Sequence, residues 1–280
     1  MGHDGRRFDE RVARLKRTAK EVRRHIIEMI FEAQSGHPGG ALSAADIVTA
    51  LYFDLMRIDP ARPRWADRDR FILSKGHACP VWYASLAMRG FFPMEELKTL
   101  RKFESILQGH PDMNKTPGVD MTTGSLGQGL SAGVGMALEG KLVGKDYTVY
   151  VLLGDGELNE GQVWEAALSA AKFRLDNLVA IVDRNCLQMD GYCEDVMPMD
   201  PIDGKFAAFG WATSSIDGHD MAAVVRAIEA ARDARGAPTC IVASTTKGKG
   251  VSYMEDVRAW HGKVPTREQY ETALAEIAAG

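Results

Sequence analysis

From residue 147 onward the chain alternates between short apolar runs and helical stretches, and this order limits what it can fold into. YTVYVLL reads as a strand, NEGQVWEAALSAAK as a helix and LVAIVD as a strand. After a loop come WATSSI as a further strand, a helix over 220–235, and TCIVAST as a last strand. Strands separated by helices pair in parallel through right-handed crossovers. The expected fold is α/β, a parallel sheet with helices on both faces.

The first half is more helical. Val12, Leu15, Val22, Ile26, Met29, Ile30 and Ala33 recur near a 3.6-residue period, which predicts an amphipathic helix over about 9–34. The stretch Ser35-Gly36-His37-Pro38-Gly39-Gly40 reads as its stop and a loop. Further helices are expected over 43–56, 80–89 and 94–104, with RFILS at 70–74 as a strand before Lys75-Gly76-His77. Residues 108–124 read as a loop. A helix then begins within GSLGQGL and runs to about 143. Gly129, Gly133 and Gly135 inside it weaken it, which points either to close approach of the backbone to something else or to tight helix–helix packing. The tail, REQYETALAEIAAG, reads as a helix. No internal repeat or linker is visible, so residues 1–280 are expected to form one domain.

Composition removes several classes of function. The formal charge of the 280 residues is -4, so no strong field points to nucleic acid or to a membrane surface. The basic stretch from Arg6 to Arg24 is expected to be a solvated helix face. No run of eighteen apolar residues exists to span a bilayer, and the start, MGHDGRRFDE, lacks the apolar segment of a signal peptide. Cys79, Cys186, Cys193 and Cys240 include no C-x-x-C pair, which suggests neither a zinc site nor a redox dithiol. Free thiols in the cytoplasm are the expectation.

The chemistry centres on VLLGDGELNEG at 151–161. In open α/β sheets, ligands sit beyond the carboxyl ends of the strands, and Asp155 stands at such an end. The next strand ends in Asp183-Arg184-Asn185, one crossover away. A carboxylate and an amide oxygen in one crevice suit Mg²⁺ or Ca²⁺. Mg²⁺ usually keeps positions for water and phosphate oxygens, so few protein donors suggest a metal that carries a diphosphate. Gly154 and Gly156 would let the backbone approach that group, and a helix starting near Asn159 would aim its N–H groups at it. Gly-Asp-Gly alone is also a common turn; the strand context and the second polar strand end are what favour a metal. Neither G-x-G-x-x-G nor a P-loop is present, which disfavours a dehydrogenase or a P-loop ATPase.

GDGELNEG followed by DRNCLQMDG, with Asp155 and Asn185 thirty residues apart, resembles the thiamine diphosphate motif. SGHPGG at 35–40, SKGHA at 74–78, GHPDMNKTPGVDMTTGSLGQGL at 109–130, TTKGKG at 245–250 and WHG at 260–262 resemble, in order, the N-terminal half of transketolase. The resemblance implies a thiamine diphosphate-binding fold. It implies Asp155, Asn185 and the Leu187 carbonyl as metal ligands, and Gly156 against the diphosphate. Gly124, Ser125 and Leu126 would lie along the cofactor. His77 and His261 would stand near the diphosphate, Lys247 would contact the cofactor, and His37 and His110 would face the reacting carbon and the substrate hydroxyls. Glu160 would reach across a subunit boundary. Cys79 and Cys186 read as small packing residues; Glu157 reads as solvent-facing and takes no role.

The implied activity is ketol transfer: the bond between C2 and C3 of a ketose breaks, with the cofactor as electron sink, and two carbons pass to an aldehyde. His37, His110 and His261 are the candidate proton carriers. The resemblance stops where the family's first domain stops. A C-terminal subunit with the pyrimidine-binding domain is therefore expected as partner, with two copies of each subunit. The ordinary helical ending favours a natural subunit over a truncation. A deoxyxylulose phosphate synthase-like enzyme, a transketolase of an unusual sugar pathway and a non-catalytic homologue remain alternatives.

Overall fold

The structure, a computed structural model, describes residues 2–189 and 191–280, with side chains from residue 5 onward. Met1 and Asp190, the latter inside DRNCLQMDG, lie outside the described residues. Strands β1 (Arg70–Leu73), β2 (Val149–Gly154), β3 (Leu178–Arg184), β4 (Ala212–Asp217) and β5 (Thr239–Ser244) form one sheet in the order β1-β2-β3-β5-β4. Every pairing is parallel. Along each central strand the side chains alternate between two cores. Phe71, Leu73, Tyr150, Leu152, Val179 and Ile181 enter one core; Ile72, Val149, Val151, Leu178, Ala180 and Val182 enter the other. Both faces are covered, which is why the strands read as unbroken apolar runs.

The first core is built with α1 (Gly2–Ala33), α2 (Pro38–Ser43), α3 (Ala45–Ala50) and α4 (Cys79–Met88). On the second face lie α5 (Gln128–Leu142) and α6 (Gly161–Lys172). After the single turn α7 (Cys193–Val196), α8 (Ile202–Ala208) joins that face through Ile202 and Phe206. The path from β4 to β5 then steps back towards β3, and its helix α9 (Met221–Asp233) packs on the opposite face. Reversing direction and face together keeps one hand of crossover throughout, as the right-handed rule requires. The chain closes with α10 (Arg267–Ala279), started by a reciprocal capping box between Thr266 and Gln269.

Several boundaries depart from the sequence expectation. The first helix begins at Gly2 rather than near residue 9. Ser35 to Gly40 is not wholly a loop: the chain breaks at Gly36, with φ of 145°, and Pro38 is already the first residue of α2, where a missing N–H is no loss. The helix expected over 94–104 is a 3-10 turn, Met94–Thr99, which stops at an extended Leu100 and a left-handed Arg101. The helix expected from Asn159 starts at Gly161, after a 3-10 turn, Gly156–Asn159. The basic face of α1 is not simply solvated. Arg11 pairs with Asp54 and Glu229, and Arg23 is buried against Asp46. Among the described residues no helix is long and apolar enough to cross a membrane.

Two glycines of α5 mark close approach to β2 and to the segment that leads into it. A Cβ on Gly133 would lie 2.6 Å from Val151 Cγ2 of β2, and one on Gly140 would lie 2.9 Å from the Tyr147 ring. Gly135 faces open space. Gly133→Ala is therefore expected to destabilise the fold by about 1–3 kcal/mol through overpacking. Gly135→Ala should stabilise it by roughly 0.5–1 kcal/mol through helix propensity. Urea unfolding of the two variants checks this: equal effects would mean that α5 does not rest on β2 through Gly133.

Candidate active site

The functional residues converge because their loops leave the same edge of the sheet. Lys75 and His77 follow β1, Asp155 and Gly156 follow β2, Asn185 and Leu187 follow β3, and Lys247 follows β5. His37 sits just before α2, and His261 ends the 3-10 turn Arg258–His261. Together with His110, Gly124 and Leu126 these residues line a crevice of about 350 Å³, within the usual size range of small-molecule sites.

Asp155 is buried, and its two oxygens accept from backbone N–H groups: Gly156 at 2.8 Å and Cys186 at 2.6 Å. Burial pushes its carboxyl pKa up, and the nearby Asp183 adds to this. No cation among the described residues is hydrogen-bonded to it. A buried carboxylate so placed calls for a cation from outside. Asn185 Oδ1 lies 3.2 Å from the Leu187 N–H, and the Leu187 carbonyl faces the same crevice. One carboxylate, one amide oxygen and one carbonyl are hard donors that fit Mg²⁺ or Ca²⁺. Among the described residues no three His, Cys, Asp or Glu side chains group as a metal cluster, so a metal here depends on oxygen donors that include the backbone.

Beside these oxygen donors stand cationic and neutral groups of the lining. Lys247 Nζ donates to the Leu187 carbonyl at 2.8 Å and stands 3.0 Å from His261 Nδ1. Burial, then Lys75, brings its pKa down to about 8. His37, His77 and His261 form a triangle with ring centroids 5.2–5.3 Å apart. Burial brings His37 down to about 4, helped by Arg101, His110 and Lys247. Burial and Lys247 do the same to His261, also to about 4. His77 is lowered by burial and by Lys75. The rings are thus neutral near pH 7. His37 Nδ1 and Gln188 Nε2 are buried polar atoms without a hydrogen-bond partner among the described residues, and both belong to residues of the crevice wall. A lysine that keeps most of its charge near pH 7, beside orphaned polar atoms, fits a polar, anionic occupant such as a diphosphate.

Most of the residues singled out from sequence meet here, and two do not. Ser125 and Glu160 are exposed and outside the crevice lining. Glu160 precedes α6, with its Cβ near Gly127. His110 is on the exposed rim, packed against Gly124, where a Cβ would come within 3.1 Å of its ring. Glu157 is not solvent-facing. It is buried and accepts from Ser74 Oγ, from Gly127 N at 2.9 Å and from Gly154 N at 3.0 Å. It therefore ties the ends of β1 and β2 to the start of α5. Lys75 and Asp183 form a buried ion pair that sequence reasoning passed over; the signal was a lysine and an aspartate at two strand ends. Cys79 is a packing residue, its thiol raised to about 12 by burial. Cys186 is half-buried with φ of 61°, and it is its backbone N–H that serves Asp155.

A parallel sheet with a polar crevice beyond its strand ends is an α/β arrangement that suits a small polar ligand. The sequence profile described as "Transketolase, thiamine diphosphate binding domain" matches residues 15–276, and the chain belongs to that family. It is 47% identical over 263 residues to the 6-deoxy-6-sulfo-D-fructose transketolase subunit SqwG of Clostridium sp. (strain MSTE9), covering 94% of this chain and 96% of the relative. It is 44% identical to a subunit of the apulose-4-phosphate transketolase of Phocaeicola vulgatus, covering 95% of each. A transketolase structure from Pichia stipitis superposes with a TM-score of 0.90 at 33% identity, over 94% of this chain. The chain spans only 40% of that longer protein.

The depressed histidines give a pH dependence with a definite sign. Above about 6.5 both folded and unfolded rings are neutral. As pH falls from 6.5 towards 4, the unfolded chain binds protons that folded His37 and His261 refuse, so their contribution to stability is lost over that window. Urea midpoints between pH 7 and pH 5 should fall less for the His37→Gln/His261→Gln double variant than for the parent chain. An equal fall would show that the two rings titrate as they do in the unfolded chain.

Proposed function

We propose that this chain is the thiamine diphosphate-binding subunit of a two-chain transketolase, which moves a two-carbon ketol unit from a ketose to an aldose. The carrying observation is the buried Asp155 beside Asn185 and the Leu187 carbonyl, facing a wall of neutral histidines and Lys247. Near end-to-end correspondence with relatives named as subunits supports the two-chain form. We take the 280 residues as one domain, acting in the cytoplasm, where its free cysteines stay reduced.

Asp155, Asn185 and the Leu187 carbonyl would hold Mg²⁺ or Ca²⁺. Gly156, His77, His261 and Lys247 would receive the diphosphate, with Gly124, Ser125 and Leu126 along the cofactor. Thiamine diphosphate, when bound, supplies the carbanion and the electron sink for breaking the C2–C3 bond. His37, His110 and His261 would take protons from substrate hydroxyls and return them; the charge arriving with the cofactor raises imidazole basicity from the low values that burial sets. Glu160 is exposed beside the start of α6, where a neighbouring chain can reach it. The expected partner is a C-terminal subunit with a pyrimidine-binding domain, two copies of each making a closed assembly. The relatives' names point to phosphorylated or sulfonated sugars as the substrate class.

Two measurements test this. The purified chain with thiamine diphosphate, Mg²⁺, a ketose and an aldose is expected to give no ketol transfer until the second subunit is added; appreciable turnover by the chain alone would end the two-chain reading. In the assembled enzyme, Asp155→Ala is expected to abolish Mg²⁺-dependent cofactor binding while cooperative unfolding persists. Groups behind a metal ligand already carry about 10–100-fold in affinity, so loss of the sole charged ligand should exceed that. Unchanged affinity by calorimetry would remove Asp155 from the metal site.

A further inference from the structure

The loop that carries Lys247 is held from behind by a part-buried chain of hydrogen bonds outside the crevice. The Thr246 N–H donates to His219 Nε2 at 2.8 Å. With Nε2 accepting, the ring proton is on Nδ1, which donates to Asp46 Oδ2 at 2.9 Å. Asp46 also accepts from Arg23 Nη1 at 3.1 Å and Nη2 at 2.5 Å. Arg23 Nε returns to the loop at the Lys249 carbonyl, 3.2 Å away. The strut thus runs from α1 through α3 and the turn before α9, and it grips the loop on both sides of Lys247.

What it grips is set tightly. A Cβ on Gly39 would lie 2.9 Å from Lys247 Cγ, so the lysine stem crosses that glycine with no room to spare. The Gly248 N–H donates to the Gly39 carbonyl at 3.0 Å. At the far end the ammonium meets the Leu187 carbonyl and His261. Burial would raise the Asp46 carboxyl, but Arg23 and His219 bring it down to about 2. It stays ionised through any working pH and so keeps the His219 proton on Nδ1. Charge-assisted bonds of this kind are the strong ones.

We propose that His219, Asp46 and Arg23 are positioning residues for cofactor binding, acting through Lys247 by fixing the Thr246–Lys249 loop. This rests on the crevice being the thiamine diphosphate site. Two conservative variants separate positioning from general support of the fold. His219→Asn keeps a donor for Asp46 but is too short to accept from Thr246. His219→Gln keeps the acceptor at the Nε2 position.

In the full chain alone, amide exchange at Thr246 should be faster in His219→Asn than in His219→Gln, with similar thermal midpoints. In the enzyme assembled with its second subunit, calorimetry with thiamine diphosphate and Mg²⁺ should give about 10-fold weaker binding for His219→Asn, on the scale of second-layer effects. His219→Gln, which keeps the Thr246 bond but loses the donor to Asp46, should fall between His219→Asn and the parent. Lys247→Met should be weak, and adding His219→Asn to it should weaken binding no further, because the two changes break one device. Parent-like affinity in His219→Asn, or additive losses in the double variant, would overturn the proposal. A parent enzyme that binds no thiamine diphosphate would instead overturn the reading of the crevice, while the exchange comparison would still decide whether His219 holds the loop.

Discussion

The edge of the sheet that carries the site depends on one buried ion pair. Lys75, just after β1, reaches across the end of β2 to Asp183 at the end of β3. The lysine stem passes over Gly154 at the end of β2, where a Cβ would meet it at an ordinary contact distance of 3.6 Å. The pair gathers further partners: Ser43 Oγ donates to Asp183 at 2.6 Å, Thr245 Oγ1 donates to its other oxygen, and Lys75 donates to the Gly40 carbonyl at 2.9 Å. Burial alone would push the Asp183 carboxyl up; Lys75 and these hydroxyls hold it below its ordinary value. Three strand ends and α2 are thereby locked together. Removing one member of such a pair leaves an uncompensated buried charge, an effect of about 3–5 kcal/mol.

The two acids of the Gly-Asp-Gly-Glu stretch have opposite surroundings. Glu157 meets three donors, one of them a hydroxyl, drawn from three different segments. It is spent on joining those segments. Asp155 meets two backbone N–H groups and keeps its charge facing the crevice. Burial raises both carboxyl pKa values, and it is Asp155 that the proposed function assigns to an external cation. Function at this edge comes from what is left incompletely satisfied.

The strands were legible because each is an apolar run bounded by turns, and the observed limits of β2 to β5 differ from the expected ones by a residue or two. The ordered motifs also come together in space, since most of them stand at strand ends and line one crevice. What stayed hidden is long-range. Nothing near Glu157 announces that Ser74 and Gly127 will turn towards it. Nothing in IDGKFAA marks α8, whose burial rests on only Ile202 and Phe206. The helical reading of 94–104 failed because Arg101 adopts the left-handed region and its N–H turns to the Leu107 carbonyl instead. Ser125 and Glu160 carry motif identity but are exposed outside the lining of this crevice.

The triangle of His37, His77 and His261 has a consequence for how protons are held. Rings 5.2–5.3 Å apart repel one another once charged: His261 and His37 lower the basicity of His77, and His37 lowers that of His261. A first proton delivered to the group therefore discourages a second. Deleting one ring would change the affinity of the other two for the proton that remains.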